Sequence, residues 1–147
     1  MDHVEFTNRI WAARDSIEAA LGLVAVEADE EHVTVEVGRN ALTWAPETGA
    51  YEGIAVEAAM AIVEQNYSVF DAADTEVRYV RYVQSSRVTR FLRRAVAEQL
   101  LVTARTKFRG RARWIIESVA HDGIGREFII AQSEFAALPD PIEFRLP

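Results

Sequence analysis

The sequence predicts an α+β protein in which an antiparallel sheet packs against one long apolar helix. The segment from about Tyr51 to Phe70 is apolar almost all round, which is typical of a helix buried in a core. The second half of the chain contains several strand-like runs separated by short turns, which is typical of antiparallel strands joined by hairpins. Such strands cannot form a doubly wound parallel sheet, so the nucleotide-binding α/β folds are not expected.

The bulk composition is that of an ordinary globular protein. Residues 1–147 fit a single domain with one core. The chain has no cysteine, which excludes disulfides, a thiolate nucleophile and cysteine-ligated metal sites. No signal peptide is recognisable, and the longest apolar stretch is too short to span a bilayer. We therefore expect a cytoplasmic protein that does not associate with membranes.

The elements of the first half follow from residue spacing. Residues 5–21 place apolar side chains at helical intervals, which predicts an amphipathic N-terminal helix. Residues 23–27 and 32–37 predict two short strands joined by an acidic turn. Residues 38–49 have no clear period and contain Asn, Pro and Gly, so they predict a loop before the central helix.

The second half predicts a strand meander over residues 76–137. Its runs are rich in β-branched and aromatic residues, and turns are expected at Gly110 and Gly123. Pro139 and Pro141 are expected to close the fold, because proline cannot donate to a strand ladder. No internal repeat interrupts this order.

The net charge of −7 conceals a strongly cationic segment. Eleven of the sixteen basic residues lie between Arg78 and Arg113, where Glu98 is the one acidic residue. This clustering predicts a positive surface that faces water or an anionic partner. Nucleic acid is the weaker explanation, because the pI is about 5.0 and the sequence shows no recognition helix.

Four short motifs carry a family resemblance. They are Thr48-Gly49-Ala50-Tyr51-Glu52-Gly53-Ile54, Arg90-Phe91-Leu92-Arg93-Arg94-Ala95, Arg109-Gly110-Arg111 and Ile130-Ala131-Gln132-Ser133-Glu134-Phe135. In this order they resemble a His-Gly-Gly-like helix start, an Asn-Phe-Leu-Arg-Pro-Ala strand, a Gly-Arg hairpin and a closing strand. The sequence is therefore similar, from about Leu21 to Leu138, to hot-dog fold thioesterases of the phenylacetate-pathway group.

The resemblance implies a hot-dog fold and an enzyme that hydrolyses acyl thioesters. The acyl group would be carried by coenzyme A or by an acyl carrier protein, and no cofactor is implied beyond the phosphopantetheine of the substrate. The resemblance also implies a homodimer or homotetramer with sites at the subunit interface.

The catalytic positions of that family are not preserved in this sequence. Tyr51 stands where the family has its histidine, Met60 stands where it has an acid, and Ala45 stands where it has an asparagine. This departure leaves two alternatives open. One is a non-catalytic thioester-binding protein, and the other is a non-hydrolytic enzyme that adds a group to an unsaturated acyl chain in a biosynthetic pathway.

Gly53 and Glu57 are the candidate catalytic residues. The Gly53 N–H, with that of Ile54, lies at the expected positive end of the central helix and could bind the carbonyl oxygen of a thioester. Alternatively, Gly53 only permits a tight turn or close packing. Glu57 lies one turn before Met60 on the same helix face and is the candidate base. Alternatively, Glu57, Glu64 and Glu52 mark the one solvent-exposed stripe of an otherwise buried helix.

The predicted substrate-binding residues flank the central helix and the cationic segment. They are Trp44, Tyr51, Ile54, Met60, Arg87, Arg90, Arg93 and Arg94. The arginines would hold the phosphates of coenzyme A or an acidic carrier surface, and the alternative is a solvated sheet face. Trp44 is expected in the core or at a subunit interface or, alternatively, in the wall of an acyl pocket. The three histidines lack the spacing of a metal site, so no metal is predicted.

Overall fold

The computed structural model describes residues 3–12, 16–29, 31–67 and 77–145. The elements in chain order are α1 (His3–Ala12), α2 (Ile17–Ala20), β1 (Val24–Ala28), β2 (His32–Val37), β3 (Trp44–Ala45), β4 (Ala50–Tyr51), α3 (Gly53–Tyr67), β5 (Val77–Phe91), β6 (Leu100–Arg109), β7 (Arg113–His121) and β8 (Glu127–Arg145). None of the described helices combines the length and the hydropathy that crossing a bilayer requires.

Six strands form one antiparallel sheet in the order β1-β2-β6-β7-β8-β5, and β3 pairs with β4 in a separate hairpin. Strands β6, β7 and β8 follow one another as a meander. Strand β5, which comes after α3, lies beside β8 at the edge of the sheet. The predicted class, an antiparallel sheet with one long helix packed on it, is confirmed.

Helix α3 packs across one face of the sheet, against β2, β6, β7 and β8. Its side chains Val56, Ala59, Met60 and Val63 are buried. They meet every second residue of the facing strands, because strand side chains alternate between the two faces of a sheet. These facing residues include Val33, Val35, Val37, Leu100, Val102, Ala104, Trp114, Ile116 and Ala120. Full burial of one such aliphatic side chain contributes about 1.5–3 kcal/mol.

The helix boundaries differ from the predicted ones. The N-terminal region contains α1 and α2, and Ser16 begins α2 by accepting a hydrogen bond at its Oγ from the Ala19 N–H (3.2 Å). Helix α3 begins at Gly53 and not at Tyr51, because the Tyr51 N–H donates to the Ala95 carbonyl (2.9 Å). The predicted end of this helix at about residue 70 lies outside the described residues.

Strand β8 continues through the two prolines that were expected to close the fold. Its pairing with β7 stops at Ala136, whereas its pairing with β5 runs on to Arg145. Pro139 and Pro141 lie where the ladder shifts register beside Tyr82. In the part of the chain that the structure describes, β5 is the only strand that pairs with this stretch of β8, so the missing proline N–H groups are tolerated there.

Candidate active site

A cavity of about 420 Å³ lies at the N-terminus of α3. Its lining includes Tyr51 and Gly53 at the start of the helix, and Phe91, Arg93 and Arg94 at the end of β5 and just after it. The backbone hydrogen bond between Tyr51 and Ala95 ties these two segments together. The cavity therefore has one wall made by the helix start and another wall that carries two arginines.

The backbone N–H groups at the start of α3 are suited to bind an oxygen atom. The first turn closes when the Val56 N–H donates to the Glu52 carbonyl (3.0 Å), so Gly53 and Ile54 are the first two helical residues. Their N–H groups precede the first intrahelical donor, the Val56 N–H, so they have no acceptor within the helix, and they lie at the positive end of the helix dipole. Gly53 lines the cavity, and the Ile54 side chain is 86% exposed beside it.

Glycine at position 53 is required neither by a turn nor by packing. The glycines with positive φ are Gly22, Gly49, Gly123 and Gly125, and Gly53 is not one of them. A Cβ atom placed on Gly53 would meet Phe91 Cε1 at 3.8 Å, which is an ordinary van der Waals contact. The structure therefore leaves room beside Gly53 on the cavity side.

A group of charged side chains joins α3 to the edge strand β5. Arg87 donates through Nε to Glu64 Oε2 (2.6 Å) and through Nη1 to Glu57 Oε1. The Thr89 hydroxyl donates to the same Glu57 oxygen (3.0 Å). Glu57 and Glu64 are two turns apart and share one helix face, while strand alternation turns Arg87 and Thr89 towards that face. We call Glu57, Glu64 and Arg87 the acid–arginine cluster.

Glu64 is the buried member of this cluster, with 0% of its surface exposed. Ser118 on β7 donates to its Oε1 (2.5 Å), and Ser133 on β8 donates to its Oε2 (2.8 Å). Burial raises the pKa of Glu64 to about 7, and the two serine hydrogen bonds oppose that rise. Burial also lowers the pKa of Arg87.

The two carboxylate oxygens of Glu57 differ in their hydrogen bonding. Its Oε1 accepts from Arg87 and Thr89, whereas its Oε2 is buried and has no hydrogen-bond partner among the described residues. The side chain is 28% exposed. Glu57 lies one turn from Gly53, about 6 Å along the helix axis. It is not one of the described residues that line the 420 Å³ cavity.

The predicted substrate-binding residues on and before α3 do not form one group. Tyr51 lines the cavity, but its side chain is buried and packs edge-on against Trp44, with 5.2 Å between ring centroids. Trp44 lies instead in a second cavity of about 570 Å³, beneath the guanidinium of Arg39. Met60 is fully buried in the core, where its thioether packs rather than reaching the cavity.

The four predicted phosphate-binding arginines are also separated. Arg93 and Arg94 line the cavity, and Arg94 donates to the Thr48 carbonyl (2.8 Å). Arg90 is exposed on β5. Arg87 does not belong with them, because its guanidinium is directed at Glu57 and Glu64 and is only 14% exposed.

Sequence reasoning missed Thr89, Ser118 and Ser133. A signal for the serines was present, since each occupies an inward position between buried apolar residues of its strand. A buried hydroxyl needs a hydrogen-bond partner, so two inward serines indicate a polar group on the facing helix. Strand register brings Ser133 directly beside Arg87, and the sequence did not predict that pairing.

The comparisons with known proteins rest on structure and not on sequence. No family model matches the sequence, and no curated protein matches it. Among solved structures, a mutant of the thioesterase PA1618 from Pseudomonas aeruginosa superposes with a TM-score of 0.73 at 21% identity, covering 93% of this chain and 94% of that chain. The E. coli PaaI protein from the phenylacetic acid degradation operon gives 0.71 at 15% identity, covering 93% and 95%.

A third similar structure contains a ligand. It is smu.793 from Streptococcus mutans, bound to acetyl-CoA, with a TM-score of 0.63 at 13% identity, covering 79% of this chain and 88% of that chain. At these identities the likeness shows the fold. The chain therefore has the hot-dog fold, as the sequence motifs predicted.

Proposed function

We propose that the protein hydrolyses acyl thioesters of coenzyme A or of an acyl carrier protein. The observation that carries this proposal is the cavity at the start of α3, whose lining includes a glycine that neither turn nor packing requires. A coenzyme A thioester as the substrate class is supported by the acetyl-CoA bound to the structurally similar smu.793. Arg93 and Arg94 supply positive charge at the cavity for the phosphates of such a substrate.

In the proposed reaction, Glu57 is the base and Gly53 is the oxyanion donor. The Glu57 carboxylate accepts a proton from a water molecule while the water oxygen forms a bond to the thioester carbonyl carbon. The carbonyl oxygen becomes an oxyanion that accepts from the Gly53 N–H at the positive end of α3. The tetrahedral intermediate then breaks its C–S bond, and the thiolate takes the proton from Glu57 to leave as a free thiol beside the carboxylic acid product.

A non-catalytic thioester-binding protein is the second candidate function. The observation that favours it is the position of Glu57, which is bonded to Arg87 and is not among the described residues that line the cavity. Met60, where the resembling family has an acid, offers no replacement base because it is apolar and buried.

Thiol release from a panel of short, long and aromatic acyl-CoA esters and acyl carrier proteins separates the two candidates. Because the chain contains no cysteine, a thiol-reactive dye reports the released coenzyme A without a signal from the protein. Release by the wild type supports the hydrolase. Absence of release from every ester, together with binding measured by tryptophan fluorescence, would replace it with the binding function.

Gly53→Ala should lower kcat/KM by about 10- to 100-fold without destabilising the protein. A methyl group here meets only Phe91 at an ordinary distance, but it occupies the space that the carbonyl oxygen must enter, and small displacements at a reacting centre have effects of this size. Thiol release and thermal unfolding of both proteins check this expectation. A variant with unchanged kcat/KM would show that the carbonyl oxygen does not enter the space beside the Gly53 Cα.

We also propose that the protein is a homodimer joined through the edge of β5. Among the described residues, this strand has a sheet neighbour only on its β8 side, and its side chains Val83, Val88 and Phe91 are 52%, 66% and 63% exposed. A long edge strand with exposed apolar side chains is a template for pairing with a second copy.

Val88→Glu should weaken such a dimer by at least tenfold, about 1.4 kcal/mol. Light scattering after size exclusion measures the mass, which should be twice 16.5 kDa for the wild type. Val24→Glu is the matched control, since Val24 is 49% exposed on β1 at the opposite edge. A monomeric wild type, or dissociation by Val24→Glu alone, would contradict pairing through β5.

A further inference from the structure

We infer that Arg87, anchored by the buried Glu64, is a positioning residue that orients the Glu57 carboxylate and occupies its Oε1 atom, so that its Oε2 atom has no competing hydrogen bond. This inference rests on the proposed role of Glu57 as the base. It assigns a role to the buried pair Glu64–Arg87, which the proposed reaction does not itself use.

The guanidinium group of Arg87 connects the two carboxylates rigidly. It donates to Glu64 through Nε (2.6 Å), and through Nη1 it donates to Glu57 and to the Thr89 hydroxyl (2.9 Å). A guanidinium is planar, with donors in a fixed fork, so fixing the Nε edge also fixes the direction of Nη1. The hydrogen bond to Glu64 therefore fixes where the positive charge of Arg87 lies relative to Glu57.

Glu64 is itself held from two further strands. Ser118 and Ser133 each donate to one of its oxygens, and Gln84 donates to the Ser133 hydroxyl (2.9 Å). The carboxylate is thereby tied to β7, to β8 and, through Gln84, to β5. Both oxygens of the Glu64 carboxylate are hydrogen-bonded, so the anchor has little freedom to move.

Stability alone does not explain this arrangement. Removing two charges from water costs several kcal/mol per ion, and a well-packed apolar pair at such sites is often as stable or more stable. Here the buried pair lies between apolar core residues and the edge strand. What an apolar pair could not provide is a fixed positive charge beside Glu57.

The consequence at Glu57 is an asymmetric carboxylate. Its Oε1 accepts from Arg87 and Thr89, which prevents the group from rotating, and its Oε2 has no partner among the described residues. The charged groups that face it are Arg87 from β5 and Glu64 from α3, and Thr89 is the neutral donor. The positive charge of Arg87 favours the ionised state that a base requires.

Titration of Glu57 by carboxyl ¹³C NMR in the wild type and in Arg87→Gln tests this inference. The signal is assigned with Glu57→Gln. The titration midpoint should rise by about one to three pH units when the positive charge is lost, and Arg87→Lys should restore most of it. The acid limb of the kcat profile should move to higher pH with the midpoint. At neutral pH, kcat should fall at least tenfold while KM stays within about twofold.

Arg105→Gln is the matched control, because Arg105 is an exposed arginine on β6 and takes no part in the acid–arginine cluster. The double variant Glu64→Gln, Arg87→Gln removes both buried charges together and serves if Arg87→Gln does not fold. An unchanged Glu57 midpoint in these variants would overturn the inference even if the wild type hydrolyses thioesters. Absence of hydrolysis by the wild type would refute the proposed function, and the NMR midpoint would still decide whether Arg87 controls Glu57.

Discussion

Glu57→Gln should lower kcat for acyl-CoA hydrolysis by about 100- to 10,000-fold. General-base catalysis contributes a factor of this size, and an amide cannot accept the proton from water. The substitution keeps the shape of the side chain, and the amide oxygen can still accept from Thr89 and from Arg87 in place of Oε1. Loss of activity can therefore be separated from loss of structure by comparing thiol release with circular dichroism.

The matched control for this experiment is Glu117→Gln. Glu117 is a partly exposed acid on β7, outside both the cavity and the acid–arginine cluster, so its substitution should leave kcat within about twofold. If Glu57→Gln retained more than a tenth of the wild-type kcat, the base would have to be another group. A higher KM with an unchanged kcat would instead place Glu57 in substrate binding.

Arg87→Met should lower the free energy of unfolding by about 3–5 kcal/mol at pH 8. Removing one partner of a buried ion pair leaves the other charge desolvated and uncompensated, and losses of this size are typical. Glu64 is the group left unpaired, because it is 0% exposed and its remaining donors are the two serine hydroxyls. Urea unfolding followed by circular dichroism measures the change.

The same substitution should cost less stability at pH 5 than at pH 8. The folded-state pKa of Glu64, about 7, lies above its ordinary value of 4.5, so the folded protein binds the proton more tightly than the unfolded chain. The stability from Glu64 is then fully present below pH 4.5 and is lost as the pH rises through 7. Without Arg87 the ionised form of Glu64 is even less favourable in the folded protein. The stability lost through the substitution therefore increases as the pH rises.

Arg105→Met is the control for this prediction, since Arg105 is exposed on the sheet surface. Its substitution should change stability by less than about 0.5 kcal/mol at either pH. Equal losses for Arg87→Met at pH 5 and pH 8 would show that an ionised Glu64 is not the cause. A loss below about 1 kcal/mol would show that the ion pair contributes no more than a surface pair does.

Local patterns in the sequence predicted most of the fold. The apolar run after residue 50 predicted α3, and the alternating runs with turns at Gly110 and Gly123 predicted the β6–β7–β8 meander. These features depend on neighbours within a few residues, which a single sequence displays directly. The passage of β8 through Pro139 and Pro141 escaped prediction, because only the sheet shows that this stretch pairs on one side.

The sequence by itself determined that Glu57 and Glu64 share one face of the central helix. Helical geometry places side chains seven residues apart on the same face two turns away, so no tertiary contact was needed for that prediction. The first residue of the helix was not determined in this way, because the contact of Tyr51 with Ala95 moves it to Gly53. Only the tertiary structure decided the partner of those carboxylates. Arg87 was predicted to face a phosphate, but the register of β5 beside β8 turns it inward, 23 residues from Glu64 along the chain. Strand order and register depend on packing of the whole sheet against α3, so such long-range charge pairs cannot be deduced from local spacing.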